Sequence, residues 1–245
     1  MIIIPMAGLS SRFFKAGYSE PKYMLKAHGK TLFAHAVDSF SKYYENEKFL
    51  FIVRDVYDTP SFVSSQANML GIKDYEIVII NKKTRGQAET VSIGIEEWKK
   101  KNNVNSDLSI TVFNIDTFRP GFQYPPLKHL GDGYLEVFKG IGDNWSFAKP
   151  LSDNGTLVCE TAEKKPISDL CCTGLYHFNS LELYLSAYYH YLEKPISEWE
   201  KGELYVAPLY NYIIEKGYEI HYNIINREEV VFCGVPEEYV SFLGE

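Results

Sequence analysis

The sequence predicts an α/β protein with a doubly wound, mostly parallel, Rossmann-like sheet, and two observations lead to that fold class. First, short runs of apolar residues alternate, up to about residue 116, with segments whose apolar residues recur every three or four positions. Continuous apolar runs are typical of strands that helices bury on both faces of a parallel sheet. Second, 45% of the 245 residues are hydrophobic and 23% are charged, an ordinary globular composition that excludes disordered and collagen-like chains.

Helix signals lie between the apolar runs of the first half. Thr31 stands directly before apolar residues at helical spacing and is expected to cap a helix. Thr59, followed by proline, is expected to cap a second helix, which Gly71 closes. The alternating order of strands and helices favours parallel pairing. The predicted elements are strands at residues 2–6, 49–53, 75–80 and 109–115, helices at residues 32–40, 59–70 and 87–101, and an irregular basic loop at residues 7–30.

The second half changes character, because its strand signals are short and follow one another with turn residues between them. Neither an internal repeat nor a low-complexity linker interrupts the sequence. A single domain over residues 1–245, with halves at 1–120 and 121–245, is the simplest expectation. The predicted elements are strands at residues 135–138, 146–149, 156–161, 171–178, 218–225 and 230–233, and helices at residues 181–192, 204–216 and 236–243.

The basic charge of the chain is concentrated near its N-terminus. Residues 1–30 carry five basic side chains against Glu20 alone, although the whole chain has a formal charge of −7. An acidic protein of this kind is a poor general binder of nucleic acid, so no nucleic-acid partner is expected. A small polyanion can still bind where the basic segment lies. A solvated basic loop is the plainer interpretation, and charge alone does not exclude it.

Membrane, disulfide and zinc proteins are disfavoured by what the sequence lacks. Its apolar runs are far shorter than the roughly 18 residues that a membrane span needs. Residues 1–6 are too short for a signal-peptide core and lack a basic leader, so a cytoplasmic location without a membrane partner is expected. The four cysteines form no CxxC pair and no Cys/His cluster at zinc spacing, which predicts neither a disulfide framework nor a structural metal.

The loop after the first predicted strand is the best candidate for a ligand site, because open parallel sheets bind ligands beyond the carboxyl ends of their strands. Ala7 and Gly8 let backbone N–H groups approach phosphate oxygens closely, and Ser10 and Ser11 add hydroxyl donors. Arg12 can hold phosphate oxygens in a bidentate manner. Small residues after a strand are common, so this signal by itself is weak.

Two familiar nucleotide-binding motifs are absent. The dinucleotide fingerprint GxGxxG does not occur in this loop. The sequence Gly29-Lys30-Thr31 resembles the end of a P-loop, but Met24 occupies the position of the required glycine and no strand precedes it. An ATPase of the P-loop type is therefore rejected.

Three further polar residues are candidates for a nucleotide site. Lys22, in the basic loop, can place a point charge on a transferring phosphoryl group, although surface lysines without such a role are commoner. Asp116 follows the fourth predicted strand, where a carboxylate can hold Mg²⁺ against phosphates or simply cap a turn. Gln87 follows the third strand and can read the edge of a base or simply begin a helix.

These candidates occur together in the order of a known enzyme family. The opening, residues 4–13 with Pro21-Lys22 and Gly29-Lys30, resembles that of the sugar-1-phosphate nucleotidyltransferases. Later segments extend this resemblance over nearly the whole chain, which implies a nucleotidyltransferase fold with a nucleotide-binding half at 1–120 and an acceptor-binding half at 121–245. The later segments are Thr84-Arg85-Gly86-Gln87-Ala88, Asn114-Ile115-Asp116, Glu163-Lys164, Thr173-Gly174-Leu175-Tyr176 and residues 202–211 and 234–239.

The resemblance implies a reaction in which an acceptor phosphate attacks the α-phosphorus of a nucleoside triphosphate and pyrophosphate leaves. Arg12 is then expected on the β- and γ-phosphates, and Lys22, as the main catalytic residue, between the α-phosphate and the acceptor phosphate. Asp116 is expected to hold Mg²⁺ or Mn²⁺. The other implied contacts are Ala7, Gly8 and Gln87 on the base, Ser10 and Ser11 on the triphosphate, and Glu163, Lys164, Thr173 and Glu203 on the acceptor.

The whole-chain pattern is similar to that of capsule-locus cytidylyltransferases. This implies CTP as the donor, L-glutamine phosphate as the acceptor and a role in the phosphoramidate modification of capsular polysaccharide, with UTP- or dTTP-dependent transfer to a sugar 1-phosphate as the alternative. Two positions depart from the family pattern. Ser10 replaces the second glycine of the loop, and Phe232 stands where a second metal carboxylate is often found, so the metal would rely on Asp116, phosphate oxygens and water.

Other classes of protein stay open. A glycosyltransferase of related fold usually carries a D-x-D motif, and Asn114 replaces its first carboxylate here. A non-catalytic nucleotide-binding module would not need both Arg12 and Lys22. A structural or interaction protein would use the 19 tyrosines and 15 phenylalanines, most of which fall in core patterns. The expected partners are therefore a nucleoside triphosphate and a phosphorylated small molecule, and a homo-oligomer stays open.

Overall fold

A computed structural model describes residues 1–244, which form an α/β fold and divide into two compact units. The first unit contains Ile2–Lys82, Phe113–Gln123 and the chain from Glu228 onward. The second unit contains Met1, Lys83–Val112 and Tyr124–Arg227. The single domain with halves at 1–120 and 121–245 stays a prediction.

Thirteen strands and seven α-helices are assigned within residues 1–244. From the N-terminus they are β1 (Ile2–Pro5), α1 (Ser11–Lys15), β2 (Lys26–Ala27), β3 (Lys30–Thr31), α2 (Leu32–Asp38), β4 (Lys48–Val53), α3 (Thr59–Leu70), β5 (Asp74–Ile79), α4 (Gln87–Lys99) and β6 (Ile110–Phe113). They continue with β7 (Thr117–Phe118), β8 (Gly133–Lys139), β9 (Ser146–Pro150), β10 (Val158–Glu163), β11 (Leu170–Phe178), α5 (Leu181–Glu193), α6 (Leu209–Glu215), β12 (Ile220–Ile225), β13 (Val231–Phe232) and α7 (Pro236–Gly244).

The first unit is built on the parallel strands β1, β4 and β5, in that order. Ile2 pairs with Phe49 and Lys48 with Asp74, and every residue of β1 is buried. This confirms the α/β fold class and the reason for predicting it, since strands covered on both faces need apolar side chains on both faces. The small antiparallel pair of β7 and β13 belongs to the same unit.

The second unit has a mixed sheet centred on β11, which is buried along its whole length. β11 pairs antiparallel with both β8 and β9, and β9 pairs antiparallel with β10. β12 pairs parallel with β8. Helices α5 and α6 contribute the fully buried side chains of Tyr184 and Tyr210 to its core. These strands confirm the short strand signals of the second half.

Two of the predicted helix caps agree with the structure and one differs. Thr31 caps α2 as expected, because its hydroxyl oxygen accepts a hydrogen bond from the Ala34 N–H at 3.1 Å. Asp58, rather than Thr59, occupies the N-cap of α3 and has a left-handed backbone. Gly71 ends α3 in the left-handed conformation, with a φ of 82°, as predicted from its position.

Several predicted boundaries differ from the structure, most of them by one or two residues. The loop at residues 7–30 contains helix α1 and the β2–β3 hairpin, elements too short to show a periodicity. The strand predicted at residues 109–115 ends at Phe113. The helix predicted to start at residue 204 starts at Leu209, because the backbone of Leu204 is hydrogen-bonded to Arg85 and Ala88 rather than within a helix. Within residues 1–244, no helix combines the length and apolar character needed to cross a membrane.

Candidate active site

The loop after β1 presents its polar groups to solvent in the first unit. Gly8, Ser11 and Arg12 are exposed, and helix α1 begins directly after Ser10. Ser10 has a φ of 50°, which is the left-handed region that glycine adopts at least cost. The residue that replaces the family's second glycine therefore keeps a glycine-like backbone. Its hydroxyl oxygen accepts a hydrogen bond from the Lys22 backbone N–H at 3.2 Å.

An ion pair between Lys22 and Asp116 is the central contact of this region. The Lys22 ammonium donates a hydrogen bond to Asp116 Oδ2, and the two side chains are 18% and 25% exposed. Burial acts to raise the pKa of Asp116, but the charge of Lys22, with a smaller contribution from Arg12, lowers that pKa overall. The structure therefore brings Lys22 and Asp116 into contact and places the charge of Arg12 close enough to act on the same carboxylate.

A second carboxylate, which the sequence did not reveal, lies near Asp116. Glu238 Oε2 accepts hydrogen bonds from the backbone N–H groups of Gly234 and Val235, at 2.7 and 3.2 Å, at the start of α7. A Cβ on Gly234 would lie 3.1 Å from Asp116 Oδ2 and 3.6 Å from Glu238 Oε2. The missing side chain of Gly234 thus leaves space beside both carboxylates. A glutamate at the third position of a helix, here two residues after Pro236, commonly accepts from the backbone N–H before the helix, and this is the signal that could have identified Glu238.

This donor set fits a magnesium ion that is held largely by its substrate. Within residues 1–244, no group of three or more His, Cys, Asp or Glu side chains is arranged to hold a metal ion. Mg²⁺ usually keeps several waters and takes one or two carboxylates together with substrate phosphates. Asp116, with Glu238 nearby, meets that requirement. Phe232, at the expected position of a second ligand, lies in β13 and pairs with Thr117.

Gln87 begins helix α4 in the second unit, directly after a glycine that no other residue can replace without movement. A Cβ on Gly86 would lie within 2.6 Å of the Leu204 backbone nitrogen. The Leu204 N–H donates to Arg85 O and the Ala88 N–H donates to Leu204 O, both at 2.9 Å. The start of α4 is therefore held against the backbone of Leu204.

Glu163 and Lys164 lie in a polar network at the end of β10. Glu163 is 8% exposed and accepts a hydrogen bond from the Ser146 hydroxyl. Burial raises the pKa of Glu163 and outweighs the opposing effects of Ser146 and Lys164. The Lys164 ammonium donates to the Tyr205 hydroxyl and lies 3.6 Å from Glu163 Oε1. Sequence reasoning identified Glu163 and Lys164 but missed Ser146 and Tyr205, whose residue types alone suggest no role.

The other two residues proposed for the acceptor lie in different surroundings. Thr173 is buried in β11, and its hydroxyl donates to Glu136 Oε1 at 3.1 Å. Glu203 is exposed, and together with burial it raises the pKa of Tyr205. Both assignments stay predictions, with Glu203 the more accessible of the two.

A cleft of about 200 Å³ opens beside Glu163 in the second unit. Its wall carries charges of both signs, together with the polar side chains of Tyr191 and Asn211. The cleft can therefore accommodate a small ligand that itself carries both charges. The charged residues that line it are Glu163, Lys165, Lys194, Glu198 and Glu200.

Solved structures of nucleotidyltransferases share this fold. The nucleoside-diphosphate-sugar pyrophosphorylase from Vibrio cholerae RC9 is 62% identical to this chain over 100% of both chains, with a TM-score of 0.96. A putative glucose-1-phosphate thymidylyltransferase from Bacillus anthracis is 18% identical, covering 99% of this chain and 93% of its own, with a TM-score of 0.75. The inositol-1-phosphate CTP transferase from T. maritima is 15% identical, covering 99% and 94%, with a TM-score of 0.70. No protein-family model and no curated protein matches the chain.

The two distant structures show the fold alone, whereas the Vibrio cholerae structure is a relative over the complete length of both chains. That relative and the ordered motifs of the sequence point to one family. The chain belongs to the nucleotidyltransferase family that includes the nucleoside-diphosphate-sugar pyrophosphorylases.

Proposed function

We propose that this protein is a cytidylyltransferase, which joins CTP to L-glutamine phosphate and releases pyrophosphate. The observation that supports the transfer is the Lys22–Asp116 ion pair, which lies close to Arg12 and to a loop in which Gly8, Ser11 and Arg12 are exposed. Those groups supply the positive charge and the hydrogen-bond donors that a triphosphate needs, together with a carboxylate that can hold its metal.

The proposed chemistry needs charge neutralisation and alignment rather than a general base. An oxygen of the acceptor phosphate, already ionised at neutral pH, forms a bond to the α-phosphorus, and the bond from that phosphorus to the pyrophosphate oxygen breaks. Arg12 and the loop N–H groups bind the departing pyrophosphate, and Lys22 lies on the α-phosphate and the incoming phosphate. Mg²⁺ or Mn²⁺, when bound, would neutralise part of the triphosphate charge, and Asp116 would hold it with Glu238 nearby.

The choice of CTP rests on the whole-chain similarity to capsule-locus cytidylyltransferases. Gln87 is the residue proposed to read the base, since its side-chain amide offers both a donor and an acceptor. Its position at the start of α4 is held by the contacts of Gly86 and Ala88 with Leu204. A CTP transferase from T. maritima has the same fold, although at 15% identity it supports the fold only.

The mixed charge of the cleft beside Glu163 supports an acceptor that carries an ammonium and a carboxylate. L-Glutamine phosphate has both groups, whereas a phosphate ester of an uncharged sugar has neither. Lys164 is proposed to bind the acceptor phosphate and Glu163, on the cleft wall, to bind the organic part. The proposed reaction is that of a CTP:phosphoglutamine cytidylyltransferase of capsular phosphoramidate biosynthesis, and the proposed role is capsular polysaccharide modification.

The second candidate is a UTP- or dTTP-dependent sugar-1-phosphate nucleotidyltransferase. The relative from Vibrio cholerae favours it, because that protein is described as a nucleoside-diphosphate-sugar pyrophosphorylase and is 62% identical to this chain. Both candidates share the reaction and differ in the base and the acceptor.

A matrix of donors and acceptors separates the two. Pyrophosphate release is measured with Mg²⁺ and each of CTP, UTP and dTTP against L-glutamine phosphate and glucose 1-phosphate. We expect release with CTP and L-glutamine phosphate, and its loss in the Lys22→Ala variant. Release only with UTP or dTTP and glucose 1-phosphate would establish the second candidate. If none of the pairs releases pyrophosphate, both candidate functions are wrong for these acceptors.

A further inference from the structure

Lys164 is held in an unusual backbone conformation at the end of β10. Its φ is 53°, in the left-handed region that lysine rarely adopts. Its backbone N–H donates to Trp145 O at 2.7 Å, which helps to hold the turn in place. Backbone strain of this kind persists where surrounding contacts over-determine a residue, and it concentrates at functional sites.

The ammonium group at the end of the Lys164 side chain is also held in place, by Tyr205. Its ammonium donates to the Tyr205 hydroxyl and lies 4.1 Å from the centre of the Tyr205 ring. Both parts of the phenol therefore contact the cation, through a hydrogen bond and through the negative ring face. The Lys164 side chain is nevertheless 22% exposed, so part of it remains open to a ligand.

Tyr205 can restrain a lysine because its own position is fixed. The preceding residue, Leu204, is fully buried and exchanges backbone hydrogen bonds with Arg85 and Ala88. Burial and the neighbouring Glu203 raise the pKa of Tyr205, so the phenol stays protonated and neutral. A neutral partner accepts one hydrogen bond from Lys164 without cancelling the charge that a phosphate would need.

We propose that Tyr205 is a positioning residue that holds the Lys164 ammonium in place for the acceptor phosphate. This inference rests on the proposed function, which assigns that phosphate to Lys164. An ammonium has three N–H donors, of which Tyr205 takes one and Glu163 Oε1 lies 3.6 Å away. Because the long side chain is ordered before the ligand arrives, less conformational freedom is lost on binding.

A double-mutant cycle tests whether Tyr205 acts through Lys164. Inorganic phosphate is titrated calorimetrically into the wild type, Tyr205→Phe, Lys164→Met and the double variant. Tyr205→Phe keeps the ring and removes only the hydroxyl, so we expect phosphate affinity to fall by about 3- to 10-fold, the scale of one hydrogen bond. In the Lys164→Met background the same change should have almost no effect, because interacting residues are not additive. Tyr205→Leu, which also removes the ring, should weaken binding further.

A matched control and a kinetic measurement exclude a merely structural effect. Tyr222→Phe removes a phenol hydroxyl that donates to Gly155 O at 3.0 Å in the same unit, and it should leave phosphate affinity unchanged. With CTP and L-glutamine phosphate, Tyr205→Phe should raise the KM for the acceptor by more than it lowers kcat and should leave the KM for CTP unaffected.

Three results would overturn the positioning role: an equal loss of affinity in both Lys164 backgrounds, no loss in either, or no Lys164-dependent phosphate binding in the wild type. The failure of the proposed function is a separate result. If the wild type releases no pyrophosphate with any tested pair, the proposed reaction is wrong. If the double-mutant cycle still shows coupled losses of phosphate affinity, the positioning of Lys164 by Tyr205 stands.

Discussion

Each of the two units has a lysine beside a carboxyl group, but the hydrogen-bond partner of the lysine and the direction of the carboxyl pKa shift differ between them. In the first unit, Lys22 donates directly to Asp116 and the pKa of the carboxyl is lowered. In the second unit, Lys164 donates to the neutral phenol of Tyr205, and burial raises the pKa of the adjacent Glu163. The ion pair with Lys22 keeps the first carboxylate charged and fit for a metal, whereas the second lysine donates to a neutral phenol and lies 3.6 Å from a carboxyl group whose pKa is raised.

The largest expected effect concerns the lysine of the ion pair. Lys22→Ala should lower turnover by about 10²-fold or more, the scale of losing one preorganised electrostatic contact in a transition state. Steady-state pyrophosphate release checks this, with Lys26→Ala as the control for an exposed lysine of the same basic segment. Near-normal turnover of the Lys22 variant would remove that residue from the mechanism.

Asp116→Asn tests the carboxylate of the same pair. The amide keeps the size of the side chain but loses the charge that a metal prefers, so the Mg²⁺ concentration for half-maximal activity should rise roughly 10-fold, a scale seen when metal sites are perturbed. Metal titrations of the variant, the parent and Glu238→Gln check this. Coincident curves for Asp116→Asn and the parent would show that the metal is held elsewhere.

Gly86→Ala tests the close contact between the start of α4 and the backbone of Leu204. The new Cβ would collide with the Leu204 backbone, so overpacking should reduce the free energy of unfolding by about 1–3 kcal/mol. Denaturant unfolding measures the change. Gly155→Ala is the matched control, because the nearest atom to its Cβ would be Ser152 Oγ at 3.6 Å. A Gly86 variant as stable as the parent would mean that the two segments can separate freely.

The smallest effects are opposite pH dependences in the two units. The pKa of Asp116 is lowered from 3.8, so its contribution to stability is present above that value and is lost as the pH falls through the lower pKa of the folded state. The pKa of Glu163 is raised from 4.5, so its contribution is present below 4.5 and is lost as the pH rises through the higher pKa of the folded state.

Thermal unfolding from pH 3 to 7 checks this contrast. Glu163→Gln should gain stability relative to the parent as the pH rises, because it removes a buried carboxylate that is costly to ionise. Asp116→Asn should lose stability relative to the parent over the same rise. If the stability of both variants relative to the parent changes in the same direction with pH, the opposite pKa shifts of Asp116 and Glu163 are contradicted.

The helices and strands could be predicted wherever local pattern and tertiary environment agree. Strands β1 and β4 read as continuous apolar runs because they are covered on both faces, whereas β5 is only partly buried. The helix start at residue 204 was wrong for the opposite reason. Leu204 and Val206 are apolar and buried, but they lie before the helix, and Leu204 makes backbone hydrogen bonds with Arg85 and Ala88.

The residues of the candidate site could also be predicted only in part from the sequence. The types of Arg12, Lys22 and Asp116 and their places in the chain were enough to nominate them for phosphate and metal chemistry. The contact between Lys22 and Asp116, 94 residues apart, and the presence of Glu238 beside Gly234 depend on how the loops of the first unit fold together. No spacing along the chain encodes those distances.

The amino-acid sequence on its own determined the α/β class, the parallel strands and the residues suited to nucleotidyl transfer, because apolar periodicity and side-chain chemistry are local properties. Only the folded chain decided which charges are paired, which carboxyl has its pKa lowered and which raised, and which tyrosine restrains Lys164. Those properties depend on burial and on distances of a few ångströms between residues far apart in sequence, which only tertiary packing sets.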